Sequence, residues 1–468
     1  MKKLSIFLFF SLVLYGLQAQ EKEIKSDLQV SSNGHYLQFA DSTPFFWLGD
    51  TGWELFHRLT FEEIMQYFDN RKAKGFNVIQ AVILSELDGL RIPNRNGDVP
   101  LTNMDPNMPN EKYFLFVDSV VKLAEERNLI LALLPTWGDK VTLNYGGTGP
   151  VVFNEKNAYN FGKYLGARYR NSHNILWILG GDRPPEHDCN DWKPIYSAMA
   201  KGIDEGAQKH ILKSFHPGGS VWESSVHLHN ENWMDYNMIQ SGHAEQDQPV
   251  WRNVQRDWHL KPAKPVIDSE PNYEDLQVNP WSRSVEPKPI FTEYDVRKQL
   301  YRSVFAGAFG VTYGQSSVWR MHDSDLFGGS RSLEKWSDML DRPGAYQAAY
   351  LRRLIESRPF NERIPDDSII LEGQGTKAEY ITAFKDEKGR YIMVYLPVGK
   401  KITINVSSIS SSKITAWWFN PKNADAKLIG NFNNERLISF VPPSKGIGND
   451  WVLVIDNKKM NYGKPGKN

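Results

Sequence analysis

Two acidic residues in the middle of the chain follow short apolar runs, a setting in which a carboxyl group can do chemistry. Asp182 ends the stretch Trp177-Ile-Leu-Gly-Gly-Asp182, and Glu270 ends the stretch Pro265-Val-Ile-Asp-Ser-Glu270. The two glycines let the backbone turn sharply and leave room for a substrate. Glycoside hydrolysis needs such a pair, with one carboxyl group protonated and the other ionised. We therefore predict that Asp182 and Glu270 are the catalytic carboxyl groups.

Other interpretations of these acids stay open at this point. Acids at strand ends often pair with a neighbouring cation or cap a helix, and Arg183 directly follows Asp182. Asp268 competes with Glu270, which we favour because it lies beyond the end of the strand. A separation of roughly 5–5.5 Å between the carboxyl groups gives retention and roughly 6.5–9.5 Å gives inversion. The sequence alone does not contain that distance.

Several other polar and aromatic residues follow predicted strand ends and are candidates for binding a sugar. Tryptophan rings can stack on a sugar face, although core packing explains such rings equally well. Histidines here can donate hydrogen bonds to hydroxyl groups. His227 and His229 alternate as metal ligands do, but no third ligand follows at a suitable spacing. We predict that no metal or organic cofactor is needed and that the substrate is bound by Asp50, Trp53, Trp137, Arg183, His216, His243, Tyr313, Gln315 and Trp319.

Short apolar runs alternate with helical patterns over most of the chain. Continuous apolar runs are typical of parallel strands that are buried on both faces. No GxGxxG motif follows the first strand, so a dinucleotide-binding fold is not indicated. The alternation predicts a (β/α)8 TIM barrel over residues 24–360, with its active site at the carboxyl ends of the strands. The eight predicted strands are Phe45–Leu48, Asn77–Val82, Leu129–Leu134, Ile175–Leu179, Ile211–Phe215, Asn237–Gln240, Pro265–Asp268 and Gly310–Tyr313.

The pattern changes after Pro359. Helical periodicity stops, and short strands separated by turn residues follow. This predicts a small antiparallel β-sandwich over residues 366–460.

The N-terminal segment and the overall composition of the chain bear on its location and its partners. Lys2 and Lys3 precede an apolar run from Leu4 to Leu17, which predicts a signal peptide over residues 1–19 and a secreted or periplasmic protein without a membrane span after cleavage. The 55 basic and 55 acidic residues balance, which argues against a nucleic-acid partner. The single cysteine, Cys189, excludes an internal disulfide. Oligomeric state is not indicated.

Several motifs together resemble those of the apiosidase-like glycoside hydrolases. The resemblance extends from about Leu28 to Pro359, in motifs that occur in the same order. It implies a retaining mechanism with Asp182 as acid/base and Glu270 as nucleophile, and a polysaccharide substrate with an apiosidic bond, as in the pectin rhamnogalacturonan-II. The motifs are Phe46-Trp-Leu-Gly-Asp-Thr-Gly-Trp53, Lys74-Gly-Phe-Asn-Val-Ile-Gln80, Leu134-Pro-Thr-Trp-Gly-Asp-Lys140, Asn174-Ile-Leu-Trp-Ile-Leu-Gly-Gly-Asp-Arg183, Phe215-His-Pro217, Gln240-Ser-Gly-His243 and Tyr313-Gly-Gln-Ser-Ser-Val-Trp319.

The chain departs from its resembled relatives at a few positions. The larger clan of retaining barrels usually has Glu where this chain has Asp182. Ser269 and the pair Gln315-Ser316 replace residues more usual in the family, which predicts a change at the mouth of the site. The C-terminal part resembles a β-sandwich often labelled collagen-binding. Two alternatives therefore stay open: a glycosidase for another furanoside or pyranoside, and a non-catalytic carbohydrate- or protein-binding adhesin.

Overall fold

The computed structural model describes residues 27–218, 222–282, 288–327 and 333–467. The predicted signal peptide lies outside these residues. Within them, no helix has both the length and the apolar character needed to span a membrane.

Eight parallel strands form the main sheet, in a (β/α)8 arrangement. Neighbouring strands in the chain are also neighbours in the sheet, except at the junction of the fifth and sixth. There the backbone amide of Asp235 donates to the carbonyl of Lys213 (3.0 Å), and the Ser214 hydroxyl donates to the carbonyl of Tyr236 (2.6 Å), so the barrel is nearly closed. The strands are β1 (Trp47–Thr51), β2 (Val78–Leu84), β3 (Ile130–Thr136), β4 (Ile175–Gly180), β5 (Lys213–His216), β6 (Asn237–Ile239), β7 (Val266–Asp268) and β8 (Gly310–Tyr313).

A helix follows each strand and covers the outside of the barrel. Capping boxes at Thr60 and Asn154 start the first and third of them, where a side chain bonds to the free amide groups of the first turn. The helices are α1 (Phe61–Ala73), α2 (Glu111–Glu126), α3 (Glu155–Arg168), α4 (Lys193–Ala207), α5 (Ser225–Leu228), α6 (Val250–Trp258), α7 (Glu293–Phe305) and α8 (Pro343–Glu356), with further short helices at Leu55–Arg58 and Ser324–Phe327.

The strand residues are buried on both faces, which explains their continuous apolar runs. One cluster fills the barrel interior and includes Trp47, Val82 and Ile178. A second cluster, with Ile79 and Trp177, packs between the strands and the helices. Because successive side chains of a strand point to opposite faces, a polar residue at a strand end faces either the barrel mouth or the helices.

The C-terminal region consists of antiparallel sheets. Their inner faces share an apolar core that includes Ile392, Ile402 and Leu453. The six-stranded sheet has the order Arg363–Pro365, Thr382–Asp386, Tyr391–Leu396, Trp451–Asn457, Lys413–Phe419 and Ala426–Asn433, and the three-stranded sheet has the order Ile370–Glu372, Ile402–Asn405 and Leu437–Phe440. A further three-stranded sheet precedes the barrel, at Leu28–Val30, Leu37–Phe39 and Pro44–Phe45.

The outer face of the six-stranded sheet packs against α7 and α8. Tyr395 lies over Tyr301 of α7, with ring centroids 4.9 Å apart, within one shared apolar cluster. Arg297 of α7 holds Asp450 through two hydrogen bonds of 2.7 and 2.8 Å, and Arg358 holds Asp456 in the same bidentate way. Both ion pairs are buried, so they lie within the interface between the barrel and the C-terminal sheets.

Most predicted barrel strands agree with the structure to within a few residues, but several other elements differ. The helical periodicity from about Leu333 to Glu356 predicts one helix, whereas the last helix of the barrel begins at Pro343, because a separate turn at Trp336–Met339 precedes it. The strands Leu28–Val30, Leu37–Phe39 and Arg363–Pro365 are not predicted by the sequence pattern. Neither is the strand Ala426–Asn433. That strand lies at the sheet edge and is mostly exposed, so it lacks the apolar alternation on which the prediction depended.

Candidate active site

The turn after β4 places Asp182 at the barrel mouth. Gly180, Gly181 and Asp182 all have positive φ angles (88°, 117° and 53°). A Cβ on Gly180 would lie 2.5 Å from the His216 carbonyl, and one on Gly181 would lie 2.7 Å from the Trp137 ring. Only glycine therefore fits at positions 180 and 181 of this turn. Asp182 itself adopts a backbone conformation that is uncommon outside glycine, a feature that often accompanies functional positions.

The Asp182 carboxyl group is held by a neighbour from the next barrel loop. Gln240, directly after β6, donates from Nε2 to Asp182 Oδ1 at 2.6 Å. Burial and the charge of Glu270 raise the pKa of Asp182 and outweigh the opposing effects of His216 and Arg183. Arg183 does not pair with this carboxyl group, because its guanidinium donates to the backbone carbonyls of Asp182 and Gly146.

Two histidines surround the Glu270 carboxylate, which is only 4% exposed. His216 Nε2 lies 2.8 Å from Oε2, in an ion pair whose geometry is not that of an aligned hydrogen bond. His243 Nε2 lies 3.2 Å from Oε1. Burial alone would raise the pKa of Glu270, but the two imidazoles outweigh it and hold the pKa well below the ordinary value. Glu270 is therefore ionised at neutral pH.

The two carboxyl groups lie close together and have opposite protonation preferences. One carboxylate oxygen of Asp182 and one of Glu270 lie within 4.8 Å of each other and of a His216 nitrogen. A pair of acids whose surroundings push their pKa values apart is the arrangement from which acid and base roles can be assigned. The same three groups could also ligate a metal ion, and the absence of a metal requirement stays a prediction.

The histidine below Glu270 is positioned by aromatic rings and by the backbone. His216 is fully buried, and its ring lies edge-on to Trp53, with centroids 5.3 Å apart. Its Nδ1 lies 3.0 Å from the Pro217 carbonyl, which can only accept, so Nδ1 carries the proton and Nε2 faces the carboxylate. Burial lowers the pKa of His216, but Glu270 and Asp182 reverse this and raise it overall.

The cleft above the carboxyl groups has two adjoining lobes. The inner lobe, about 240 Å³, is lined by Trp53, Glu86, Trp137, Glu270, Tyr273, Leu276, Pro280, Trp319 and Arg320. The outer lobe, about 320 Å³, is lined by Tyr145, Arg183, Trp222, Ser241, Gly242 and Ala244. The two lobes share Asp182, Gln240, His243 and Trp281. Of the predicted binding residues, Trp53, Trp137, Arg183, His243 and Trp319 line the cleft, and His216 lies below it against Glu270.

Glu86 is a third carboxyl group in the inner lobe. It follows β2, and the sequence analysis did not assign it to the site. Burial raises its pKa to about 8, and the nearby charges of Asp182 and Glu54 add to the effect. Glu86 is therefore mostly neutral at pH 7 and presents a hydrogen-bond donor as well as acceptors to the cleft.

Three predicted binding residues do not reach the cleft. Asp50 is fully buried and pairs with Arg71 and Tyr67 of α1, each at 2.5 Å. Tyr313 points to the helix layer and donates to Glu274 (2.5 Å). The prediction used position after a strand, and it overlooked that outward-facing residues at the same strand ends meet the helices.

Gln315 is the third predicted binding residue that lies outside the cleft. It accepts hydrogen bonds from the backbone amides of Ser317 and Val318, and donates to Asp275. It therefore holds its own loop. Neither Ser269 nor the pair Gln315-Ser316 is among the residues that line the described cleft.

Asp268 and the histidine pair His227 and His229, which the sequence offered as alternatives, lie outside the described cleft. Asp268, the rival of Glu270, accepts hydrogen bonds from the amide and hydroxyl of Ser241 and is fully buried away from the cleft. Burial raises its pKa to about 7. His227 lies in a short helix rather than a strand, and it contacts Glu186, whereas His229 contacts Asn237.

Several residues that line the cleft are not among the predicted binding residues, and they include Gln240, Glu86, Tyr273 and Trp281. Gln240 and Glu86 follow strands directly, so the rule that found Asp182 also applies to them. Tyr273 accepts a hydrogen bond from Trp53 Nε1 at 3.2 Å and lies three residues beyond Glu270. Trp281 lies on a long loop, where no strand end marks its position.

Comparisons with known proteins agree with this architecture. The family described as "Apiosidase-like, catalytic domain" matches residues 31–362. A second family, described as a collagen-binding domain of a collagenase, matches residues 364–456. A glycoside hydrolase family 5 structure from Bacteroides vulgatus ATCC 8482 is 31% identical, with a TM-score of 0.84, over 94% of this chain and 95% of that chain. No curated protein matches the sequence.

Two other solved structures extend the comparison. One, described as a glycoside hydrolase, is 32% identical with a TM-score of 0.82, over 93% of this chain and 97% of that chain. Another glycoside hydrolase structure from Bacteroides vulgatus ATCC 8482 is 12% identical, with a TM-score of 0.66 over 92% of this chain and 82% of that one, and shows the fold alone. The family match covers most of the chain, and the two nearer structures cover nearly all of it. This chain belongs to the apiosidase-like family and is a glycoside hydrolase with a TIM-barrel fold.

Proposed function

We propose that this hydrolase cleaves an apiosidic bond in a side chain of rhamnogalacturonan-II pectin, with retention at the anomeric carbon. Membership of the apiosidase-like family supports the substrate. The observation that carries the mechanism is the close pair of carboxyl groups, Asp182 with a raised pKa and Glu270 with a lowered pKa. Oxygens within 4.8 Å leave less room than the roughly 6.5–9.5 Å that an inverting water needs between the carboxyl groups.

In the proposed mechanism each group takes part in both steps. Glu270 attacks the anomeric carbon while Asp182 donates its proton to the departing oxygen, which breaks the glycosidic bond and leaves a glycosyl ester on Glu270. Asp182 then takes a proton from water, the hydroxide attacks the same carbon, and Glu270 leaves as a carboxylate. The ester removes the Glu270 charge that raises the pKa of Asp182. The pKa of Asp182 therefore falls in the ester intermediate, so Asp182 stays ionised after it has given up its proton and can accept a proton from the attacking water in the second step.

The test is product release from rhamnogalacturonan-II and a panel of pectic oligosaccharides and other furanosides and pyranosides. Asp182→Asn and Glu270→Gln should each lower kcat by about 10²- to 10⁴-fold or more. Asp268→Asn is the matched control, because Asp268 is a buried acid at the end of β7 that does not line the cleft. Apiose release that survives either site variant would refute the assigned carboxyl groups, and hydrolysis confined to another sugar would refute the substrate.

The stereochemistry is tested on the same enzyme. The first product formed is observed by NMR before its anomers equilibrate. Retention of the substrate configuration supports the covalent route through Glu270, whereas inversion would show that water attacks directly.

We also propose that the protein is exported. The apolar run from Leu4 to Leu17 behind Lys2 and Lys3 supports cleavage after residue 19. N-terminal sequencing of the protein from a cell fractionation tests this, and an intact N-terminus in the cytoplasmic fraction would contradict it.

A further inference from the structure

The two lobes of the cleft contact the catalytic carboxyl groups differently. Asp182 lines both lobes, whereas Glu270 lines only the inner one. In the proposed mechanism the nucleophile must reach the anomeric carbon of the sugar that is transferred. The proton donor must reach the bridging oxygen, which lies between that sugar and the leaving group. A residue at the junction of the lobes is therefore in the position of the proton donor.

We propose that the inner lobe binds the sugar whose bond is cleaved, and that the outer lobe is a subsite for a saccharide leaving group. This inference rests on the proposed two-carboxylate mechanism and does not depend on the sugar being apiose. The inner lobe, at about 240 Å³, is the smaller of the two and is the one that Glu270 lines, which suits a single sugar residue. A terminal side-chain sugar fits such a space.

The outer lobe is lined by aromatic rings from three separate barrel loops. Tyr145 follows β3, Trp222 follows β5 and Trp281 follows β7. Tyr145 is 49% exposed and Trp281 is 68% exposed. Large exposed rings in a concave surface mark a binding site, and the C–H face of a sugar stacks on such rings.

A cation completes the outer lobe. Arg183 lines it, and three hydrogen bonds to the carbonyls of Gly146 and Asp182 fix its guanidinium in the wall. Of the described residues lining this lobe, Asp182 is the one acid, and its raised pKa favours the neutral form. The lobe thus offers rings and fixed donors to sugar hydroxyl or carboxylate groups.

The test compares two substrates that carry the same sugar but different leaving groups, one a saccharide and the other fluoride, which is too small to contact the rings of the outer lobe. Both are chosen from compounds that the wild type hydrolyses. Trp222→Ala and Tyr145→Ala should each lower kcat/KM for the saccharide substrate by about tenfold. Their kcat/KM for the glycosyl fluoride should stay within about twofold of wild type. The Trp222 backbone link to Gln240 is preserved, because it is the Trp222 carbonyl that accepts.

Trp319→Ala is the matched control, since Trp319 lines the inner lobe only. It should lower kcat/KM equally for both substrates. Equal losses on both substrates with Trp222→Ala and Tyr145→Ala, or no loss on either, would overturn the subsite assignment. Failure of the proposed function has a different signature, namely activity on the saccharide substrate that survives Asp182→Asn or Glu270→Gln.

Discussion

His216 lies directly below Glu270, with its Nε2 2.8 Å from the carboxylate oxygen Oε2, and both side chains are closed off from solvent. The imidazole cannot turn away, because Trp53 and Trp137 pack against its ring and its Nδ1 faces the Pro217 carbonyl. The imidazole therefore stays beside Glu270 and lowers the pKa of that carboxyl group in the enzyme without substrate.

We expect His216→Gln to move the acidic limb of the pH profile of kcat/KM to higher pH. Burial raises the pKa of Glu270 once the opposing imidazole charge of His216 is removed, so Glu270, the proposed nucleophile, becomes protonated at a higher pH than in the wild type. The measurement is kcat/KM from about pH 3 to pH 8. His173→Gln, at an exposed histidine, is the control and should leave the limb in place. An unchanged limb in His216→Gln would show that His216 does not set the ionisation of Glu270.

The roles of the two acids predict different responses to the leaving group. Asp182→Ala should retain most of the first-step rate on aryl glycosides, whose leaving groups need little protonation, and lose it on saccharide substrates. Glu270→Ala should lose activity on both kinds of substrate, because no nucleophile is left. Burst and steady-state rates on the two substrates check this. Equal losses in both variants on both substrates would contradict the assignment of Asp182 as the proton donor.

Glu86 predicts a pH-dependent gain in stability for Glu86→Gln. The folded protein keeps Glu86 protonated up to about pH 8, whereas the unfolded chain releases this proton near the ordinary value of 4.5. The folded state binds more protons in that window, so wild-type stability falls as the pH rises through it. The Tm difference between Glu86→Gln and wild type should therefore grow by on the order of a few degrees between pH 4.5 and 8, and stay level above. A difference that is constant with pH would show that Glu86 ionises normally.

The glycine turn before Asp182 predicts a loss of activity in Gly181→Ala. The added methyl group would lie 2.7 Å from the Trp137 ring and displace the turn that carries Asp182. A displacement near 1 Å can cost about 100-fold in rate. Gly75→Ala is the control, since Gly75 also has a positive φ (89°) but no atom within 4 Å of the added group. Both variants should have lowered Tm values, and only Gly181→Ala should have a lowered kcat; a normal kcat would show that the turn tolerates the methyl group.

The reassignment of Asp50 predicts a change in stability and not in substrate affinity. Arg71→Met leaves the buried carboxylate of Asp50 without its cation, which should lower the free energy of unfolding by about 3–5 kcal/mol. Denaturant unfolding measures this, and KM is compared at a temperature where the variant is folded. A rise in KM without a loss of stability would return Asp50 to the substrate site.

The barrel could be predicted because its strands are buried on both faces. β2 and β3 appear as continuous apolar runs, and Gly310–Tyr313 was predicted with its observed bounds. β5 contains the polar residues Lys213, whose Nζ donates to Asp204 of α4, and Ser214, whose hydroxyl donates across the gap in the barrel to the carbonyl of Tyr236. Its apolar pattern is therefore weaker, and its predicted bounds are shifted by one or two residues. An apolar run in the sequence predicts that a strand is buried, but it does not predict the hydrogen-bond partners of the polar residues in that strand.

The two acids could be found for the same reason, since each follows a strand at the barrel mouth. The direction in which a side chain points is set by the pleat and by the residues beyond it. Asp50 and Glu86 both follow or end a strand, yet Asp50 meets Arg71 on the helix side and Glu86 lines the cleft. Trp281 comes from a long loop whose path depends on contacts far away in the sequence.

The buried pairs of Arg297 with Asp450 and of Arg358 with Asp456 join the barrel to the C-terminal sheets. A barrel separated from those sheets would expose an apolar helical face together with two guanidinium groups that had lost their counter-charges. An exchange of the C-terminal region between relatives would have to carry both aspartates and the matching apolar sheet face. Engineering that treats the C-terminal region as a detachable module must therefore supply new partners for both arginines and a new apolar surface to cover the helices.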